Sequence, residues 1–159
     1  MRKISYFVMD VDGTLTDGKI YMGESGEVCK AFDVKDGYGI HNILIPMKIC
    51  PVVITGRKSK IVEKRCGELG IDQIYQNVRD KKKELDCILK SSNCTYSNVA
   101  YRGDDLNDLA CMKEVKAAGG IIGCPADAVK EVVDIADFVS TKDGGNGAVR
   151  EFIDWIINL

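Results

Sequence analysis

Ile4-Ser5-Tyr6-Phe7-Val8-Met9-Asp10-Val11-Asp12-Gly13-Thr14 decides how this chain is read. An apolar run that calls for burial ends in two carboxylates, and Asp17 adds a third before Gly18. Clustered like charges repel one another, and taking them out of water is costly. A strand that ends this way is expected to hold something positive. Asp10 and Asp12 are two residues apart, so in extended backbone both side chains face the same way. Gly13 then permits a tight turn with exposed amides.

Working outward, the 159 residues suit one domain, spanning 1–159, with room for a sizeable core. There is no internal repeat, low-complexity tract or linker. Formal net charge is −2, and the longest cationic run, Lys81-Lys82-Lys83, is followed at once by Glu84. That balance argues against a nucleic-acid surface. No apolar stretch reaches the roughly 18 residues of a spanning helix. Asp10 and Asp12 also cut the first apolar segment too early for a secretory leader. A cytoplasmic protein with no membrane partner is the expectation. The seven cysteines are odd in number, include no C-x-x-C pair, and share the chain with a single histidine, His41. A structural zinc site needs clustered ligands, so they read as reduced, small apolar residues. His41 reads as a helix-face residue.

Short apolar runs alternate with helix-period segments. Strands are expected over 4–9, 49–54 and 98–101, with weaker ones at 74–75 and 138–139. Helices are expected near 37–45, 58–69, 80–90, 105–115, 126–132 and 146–157. This alternation predicts an α/β fold, a three-layer Rossmann-like arrangement with a mainly parallel sheet and helices on both faces. Lys19 to Met22 and Glu27 to Phe32, joined across Gly23-Glu24-Ser25-Gly26, read as a β-hairpin excursion over about 18–33. Asp17-Gly18 and Asp36-Gly37 read as turns.

In open α/β sheets, ligands sit beyond the carboxyl ends of the strands. Asp10 and Asp12 follow the first strand, Thr55-Gly56 the second, and Gly103-Asp104-Asp105 the third. Only the fold could bring them together. A few carboxylates without histidine suit Mg²⁺, which prefers oxygen ligands and retains waters. Mg²⁺ there would neutralise a phosphate and hold it against Asp10, the expected nucleophile. Asp12 is the expected general acid and base. Gly13, Thr55, Gly56 and a lysine would meet the phosphoryl oxygens, with Lys81 preferred and Lys82 and Lys83 competing. Read alone, Asp104 and Asp105 also suit a helix cap, and Asp108 an exposed helix position.

The set Asp10-x-Asp-Gly-Thr, Thr55-Gly56, Lys81 and Gly103-Asp-Asp-x-Asn-Asp108, in that order, resembles the haloacid dehalogenase superfamily of aspartate-nucleophile phosphatases. Asp10 through Gly18, Phe32-x-Val-x-Asp-Gly-x-Gly39, Ile54-Thr-Gly-Arg-Lys-Ser59 and Gly144-Gly-x-Gly-Ala-Val-Arg-Glu151 extend the likeness. They resemble the capless 3-deoxy-D-manno-octulosonate 8-phosphate (KDO 8-phosphate) phosphatase branch nearly end to end. The resemblance implies Mg²⁺ held by Asp10, the Asp12 main-chain carbonyl and Asp104, with Asp105 and Asp108 supporting the site. It also implies a homotetramer in which hairpins build a barrel and neighbouring subunits cover each site. Arg57 and Arg65 would then reach a substrate carboxylate, within the subunit or across an interface; read alone, Arg65 also suits a solvated helix position.

The implied substrate is the terminal phosphate monoester of a 2-keto-3-deoxy sugar acid, first of all KDO 8-phosphate on the route to lipopolysaccharide. Gly123-Cys-Pro-Ala-Asp-Ala128 points instead to the nine-carbon branch, N-acylneuraminate or KDN 9-phosphate, feeding CMP-sialate synthesis. Arg57 matches the eight-carbon members. A third reading, from another class, is a non-catalytic tetramerisation domain associated with an acylneuraminate cytidylyltransferase. Arg102 stands where relatives carry an apolar residue, and Pro46 and Pro51 fall in a helix end and a strand that are usually free of proline.

Overall fold

A computed structural model describes residues 4–159. Among them, six parallel strands form the main sheet: β1 (Tyr6–Met9), β4 (Cys50–Ile54), β5 (Gln73–Tyr75), β6 (Val99–Arg102), β7 (Ile121–Cys124) and β8 (Phe138–Val139). Their spatial order is β5-β4-β1-β6-β7-β8. The chain therefore steps outward from β1 to β4 and β5, then returns to the other side of β1 for β6. That reversal puts a switch point at the carboxyl ends of β1 and β6, where open α/β sheets bind ligands. Asp10 follows one of these strands and Asp104 the other.

Each strand sends alternate residues to opposite faces. Phe7, Met9, Val53 and Ala100 point to a core closed by α1 (Val34–Tyr38), the π-helical turn Gly39–Leu44, α2 (Lys60–Leu69) and α6 (Ala148–Ile156). Tyr6, Val8, Val52 and Tyr101 point the other way, to α3 (Lys81–Ser91), α4 (Leu109–Ala117) and α5 (Lys130–Val133). Phe152 of α6 carries much of the first core. Its ring packs on Phe7 at 5.6 Å and on Phe138 at 5.7 Å between centroids. A Cβ on Gly123 would come within 2.6 Å of that ring, so only glycine lets α6 lie this close to β7.

The predicted hairpin is present but shorter, as β2 (Tyr21–Gly23) and β3 (Gly26–Cys29), separate from the main sheet. The strand β7 is not among those expected from the sequence. The expected helix over 126–132 is only Lys130–Val133. That over 105–115 begins as a 3₁₀ turn, Leu106–Asp108, before α4. Pro51 is tolerated in β4 because β5 pairs only with Val52–Ile54. At Pro51 the missing N–H faces a side that β5 has not yet reached. All seven cysteines are free thiols, and the His41 Nδ1 lies 3.0 Å from the Leu69 carbonyl.

Asp36-Gly37 is not a turn. It lies inside α1, with Asp36 buried and its Oδ1 accepting from the Arg150 amide at 2.8 Å near the start of α6. The helix end supplies the orphan donor that satisfies this oxygen. Arg102 is fully buried, its guanidinium 5.6 Å from the Phe152 ring centroid, and its three nitrogens have no hydrogen-bond partner among the described residues. Burial pulls it down to about 10. Burial likewise raises Asp36, from 3.8 to about 6, against the opposing pull of the Arg150 amide and the Arg102 charge.

A carboxyl raised in the folded state stabilises the fold while protonated and loses that contribution as pH climbs through the folded value. The window for Asp36 is therefore 3.8 to about 6. Urea unfolding should show Asp36→Asn gaining on wild type by about 3 kcal/mol between pH 4 and pH 7. A constant difference across that range would contradict the assignment.

Candidate active site

The loop after β1 is wound tightly. The Val11 carbonyl accepts from the amides of Thr14, Leu15 and Thr16 at 2.8 to 3.1 Å. Gly13 takes φ +87°, in the left-handed region, and a Cβ there would fall 1.9 Å from Asp104 Oδ2. Glycine at this position thus lets the loops after β1 and β6 touch. A second glycine loop locks the first from outside: a Cβ on Gly144 would sit 1.9 Å from the Gly13 carbonyl oxygen. The Gly144 amide donates to Asp127 Oδ1 at 2.9 Å, so the Gly123–Ala128 segment braces this loop.

Lys81 opens α3, whose N-terminus Asp80 caps by accepting from the Lys83 amide at 3.0 Å. The buried Lys81 ammonium lies 3.0 Å from Asp10 Oδ1 and 2.9 Å from Asp108 Oδ1. Lys82 instead approaches Asp86 and Glu114 at 3.8 Å, and Lys83 is exposed. Of the three candidate lysines, only Lys81 reaches the carboxylates. Asp108 is fully buried rather than an exposed helix residue. It accepts from the Tyr101 hydroxyl at 2.9 Å and from the Asp104 amide at 3.1 Å. Both of its oxygens are thereby engaged in holding neighbours. Asp105 is different: exposed, it caps the 3₁₀ turn by accepting from the Leu106 amide at 2.7 Å.

Asp10, Asp104 and Asp108 each bring an oxygen within 4.8 Å of the others. Thr14 Oγ1 donates to Asp104 Oδ1 at 3.2 Å. Burial, then the Asp108 charge, push Asp10 up to about 6 even with Lys81 opposing. Burial, then Asp108 and Asp10, push Asp104 up to about 8. Burial works against the Lys81 charge, but Asp108 and Asp10 outweigh it and hold the ammonium above its ordinary range. Carboxylates crowded in this way are suited to a divalent cation, whose charge inverts the order. Asp108 is occupied in holding neighbours, whereas Asp10 and Asp104 each engage one oxygen, with Lys81 and Thr14, and keep the other available to a cation. The donor set is all oxygen and fits Mg²⁺.

Thr55 is buried directly after β4, its amide donating to the Tyr75 carbonyl at 2.9 Å and its own carbonyl accepting from Val78. Gly56 and Arg57 follow it, both exposed. Arg57 Nη2 lies 3.9 Å from Glu27 Oε2 on the hairpin. Arg65 turns elsewhere, pairing with Glu68 at 3.2 Å and stacking on Phe32 at 5.8 Å, so its own chain does not bring it to the carboxylates. Sequence reasoning missed Lys30, which lies 2.5 Å from Asp12 Oδ1 and is itself almost wholly enclosed. Burial opposes the Lys30 charge, but Asp12 and Glu27 outweigh it and hold the ammonium above its usual range. No local signal marks this contact, because the hairpin alone folds Lys30 back over the loop.

No family model matches the chain. The 3-deoxy-D-manno-octulosonate 8-phosphate phosphatase KdsC of Escherichia coli K12 is 44% identical over 154 residues, covering 97% of this chain and 79% of the relative. The chain belongs to the KdsC family of haloacid dehalogenase-superfamily phosphatases. A crystal structure of 3-deoxy-D-manno-octulosonate 8-phosphate phosphatase from Yersinia pestis superposes with TM-score 0.92 at 42% identity, covering 99% of this chain and 82% of that one. The Moraxella catarrhalis enzyme, crystallised with a magnesium ion, a phosphate ion and a KDO molecule, gives TM-score 0.91 at 38% identity over 99% of this chain and 87% of its own. Family membership agrees with the six-stranded parallel fold and with its acidic site at the switch point.

Gly13→Ala tests whether contact between the two loops builds the site. Its Cβ must displace Asp104, so Mg²⁺ affinity measured by calorimetry should fall about 10- to 100-fold, the usual cost of disturbing support around a metal ligand. Unchanged affinity would contradict the close approach.

Proposed function

We propose that the protein is a Mg²⁺-dependent phosphatase that hydrolyses KDO 8-phosphate to KDO and phosphate through an aspartyl-phosphate. The observation that carries this reading is the buried Lys81 ammonium between Asp10 and Asp108, with Asp104 beside them. Identity to KdsC supports the substrate.

Mg²⁺, when held by Asp10, Asp104 and the Asp12 main-chain carbonyl, supplies charge neutralisation for the phosphate. Asp10 attacks phosphorus: a P–O bond to its carboxylate forms as the bond to the sugar oxygen breaks. Asp12 delivers its proton to the departing oxygen, then takes a proton from water as that water attacks the aspartyl-phosphate. Phosphate leaves and Asp10 is regenerated. Lys81, Thr55 and the Gly13 and Gly56 amides offset the charge on the phosphoryl oxygens. Asp108 positions Lys81, and Asp105 caps the turn that carries Asp108.

Arg57, exposed after β4 and 3.9 Å from Glu27 on the hairpin, is our candidate for meeting the sugar carboxylate. Arg65, paired with Glu68 and stacked on Phe32, is our candidate for reaching the substrate of a neighbouring subunit. The hairpin supports such an arrangement, since Met22 and Val28 are each 63% exposed and Ile20 and Tyr21 are also open. A homotetramer built on these hairpins is our reading of the assembly. In the Gly123–Ala128 motif, which favours the nine-carbon alternative, Gly123 makes room for Phe152 and Asp127 braces Gly144, so both residues also have a structural role.

Phosphate release from KDO 8-phosphate should require Mg²⁺, stop with EDTA, and fall at least about 10³-fold in Asp10→Asn. kcat/KM should exceed that for N-acetylneuraminate 9-phosphate by more than about tenfold. A preference for the nine-carbon ester would reassign the substrate. An inactive wild type that folds and assembles would favour the non-catalytic reading.

A further inference from the structure

Lys30 stands outside every motif that marks the chemistry, yet it is one of the most enclosed charges near the site. It follows β3, and the hairpin carries its ammonium back to Asp12 Oδ1 at 2.5 Å. On its other side lies Glu27 Oε2 at 3.0 Å, an ion pair without hydrogen-bond geometry. Glu27 is fixed in turn by Ser59, whose hydroxyl donates to its Oε1 at 3.1 Å just before α2. The lysine side chain is 1% exposed, against 20% for Asp12. A rigid series thus runs from the start of α2 through Glu27 and Lys30 to Asp12.

Asp12 itself needs such support. Its neighbour Asp10 is buried and fixed by Lys81, whereas Asp12 is partly open and its carboxylate has no other hydrogen-bond partner among the described residues. A proton donor must be aimed at the departing oxygen, and a displacement of about 1 Å can cost about 10²-fold in rate. We propose that Lys30 is a positioning residue that fixes the carboxylate of Asp12, with Glu27 and Ser59 holding Lys30 in place. This rests on the phosphatase reading above.

The test exploits the leaving group. A sugar alkoxide departs only with a proton, whereas p-nitrophenolate leaves readily without one. kcat/KM reports the first bond cleavage, so it separates the two cases. Lys30→Met keeps the apolar stem and should lower kcat/KM for KDO 8-phosphate about 10²-fold, and for p-nitrophenyl phosphate less than about fivefold. Mg²⁺ affinity by calorimetry should not change. Lys30→Arg should recover most of the loss. In an Asp12→Asn background, Lys30→Met should cost nothing further, because the two residues act as one unit.

Equal losses on both esters, a fall in Mg²⁺ affinity, or a full additional loss in the Asp12→Asn background would make Lys30 merely structural and overturn the proposal. Should Lys30→Met not fold, Glu27→Gln reads the same series, with a smaller loss confined to the sugar ester; no selectivity would overturn it. A wild type without Mg²⁺-dependent turnover of either ester would defeat the phosphatase reading, and the positioning role with it. An active wild type unaffected by these substitutions would defeat the positioning role alone.

Discussion

A single buried ammonium organises this molecule. Lys81 begins α3, Asp10 follows β1, and Asp108 closes the turn after β6; strand pairing and core packing bring these segments near, and the ammonium fixes how their ends meet. Such a triad is not a cheap source of stability. Several kcal/mol of desolvation per ion offset most of the Coulomb gain, while removing one partner strands the others at about 3–5 kcal/mol. Its worth lies in placement. Tyr101 and the Asp104 amide both donate to Asp108, so fixing Lys81 also fixes the loop that carries Asp104.

Around this triad the backbone is brought closer than side chains would allow. Gly13 meets Asp104, and Gly144 meets Gly13, each at distances that a Cβ would forbid. The C-terminal glycine loop therefore serves the site without contributing a reactive group. Behind it, the Arg150 amide near the start of α6 is anchored by Asp36, and α6 itself by Phe152 seated over Gly123. The far face of the molecule is thus tied to the carboxylates through a short series of close contacts.

What the sequence made legible were groups whose chemistry is local. Asp10, Asp12, Thr55 and Asp104 each follow an apolar run, and strand ends in such folds converge by topology. Less legible was anything defined by a distant partner. Asp36-Gly37 has the composition of a turn yet lies in a helix that Asp33 caps, and one oxygen of the Asp36 carboxylate accepts from Arg150, far along the chain. The strand Ile121–Cys124 hides among glycines, of which Gly120 and Gly123 make room for the close approach of other elements. Lys30 reads as an ordinary hairpin charge until the hairpin folds. Arg102 looks wrong for a buried strand end, and it is indeed buried, under an aromatic ring that no local pattern announces.

The central place of β1 has a kinetic meaning. Tyr6 pairs with Cys50 on one side and with Val99 on the other. Both partners, β4 and β6, come much later in the chain than β1. Parallel pairing across such separations demands loop closure before any contact rewards it, which makes folding slow. Asp10 acquires its setting only once both neighbours have docked and α3 has delivered Lys81. A chain in which β4, β6 and α3 have not all docked therefore carries scattered carboxylates and an incomplete site.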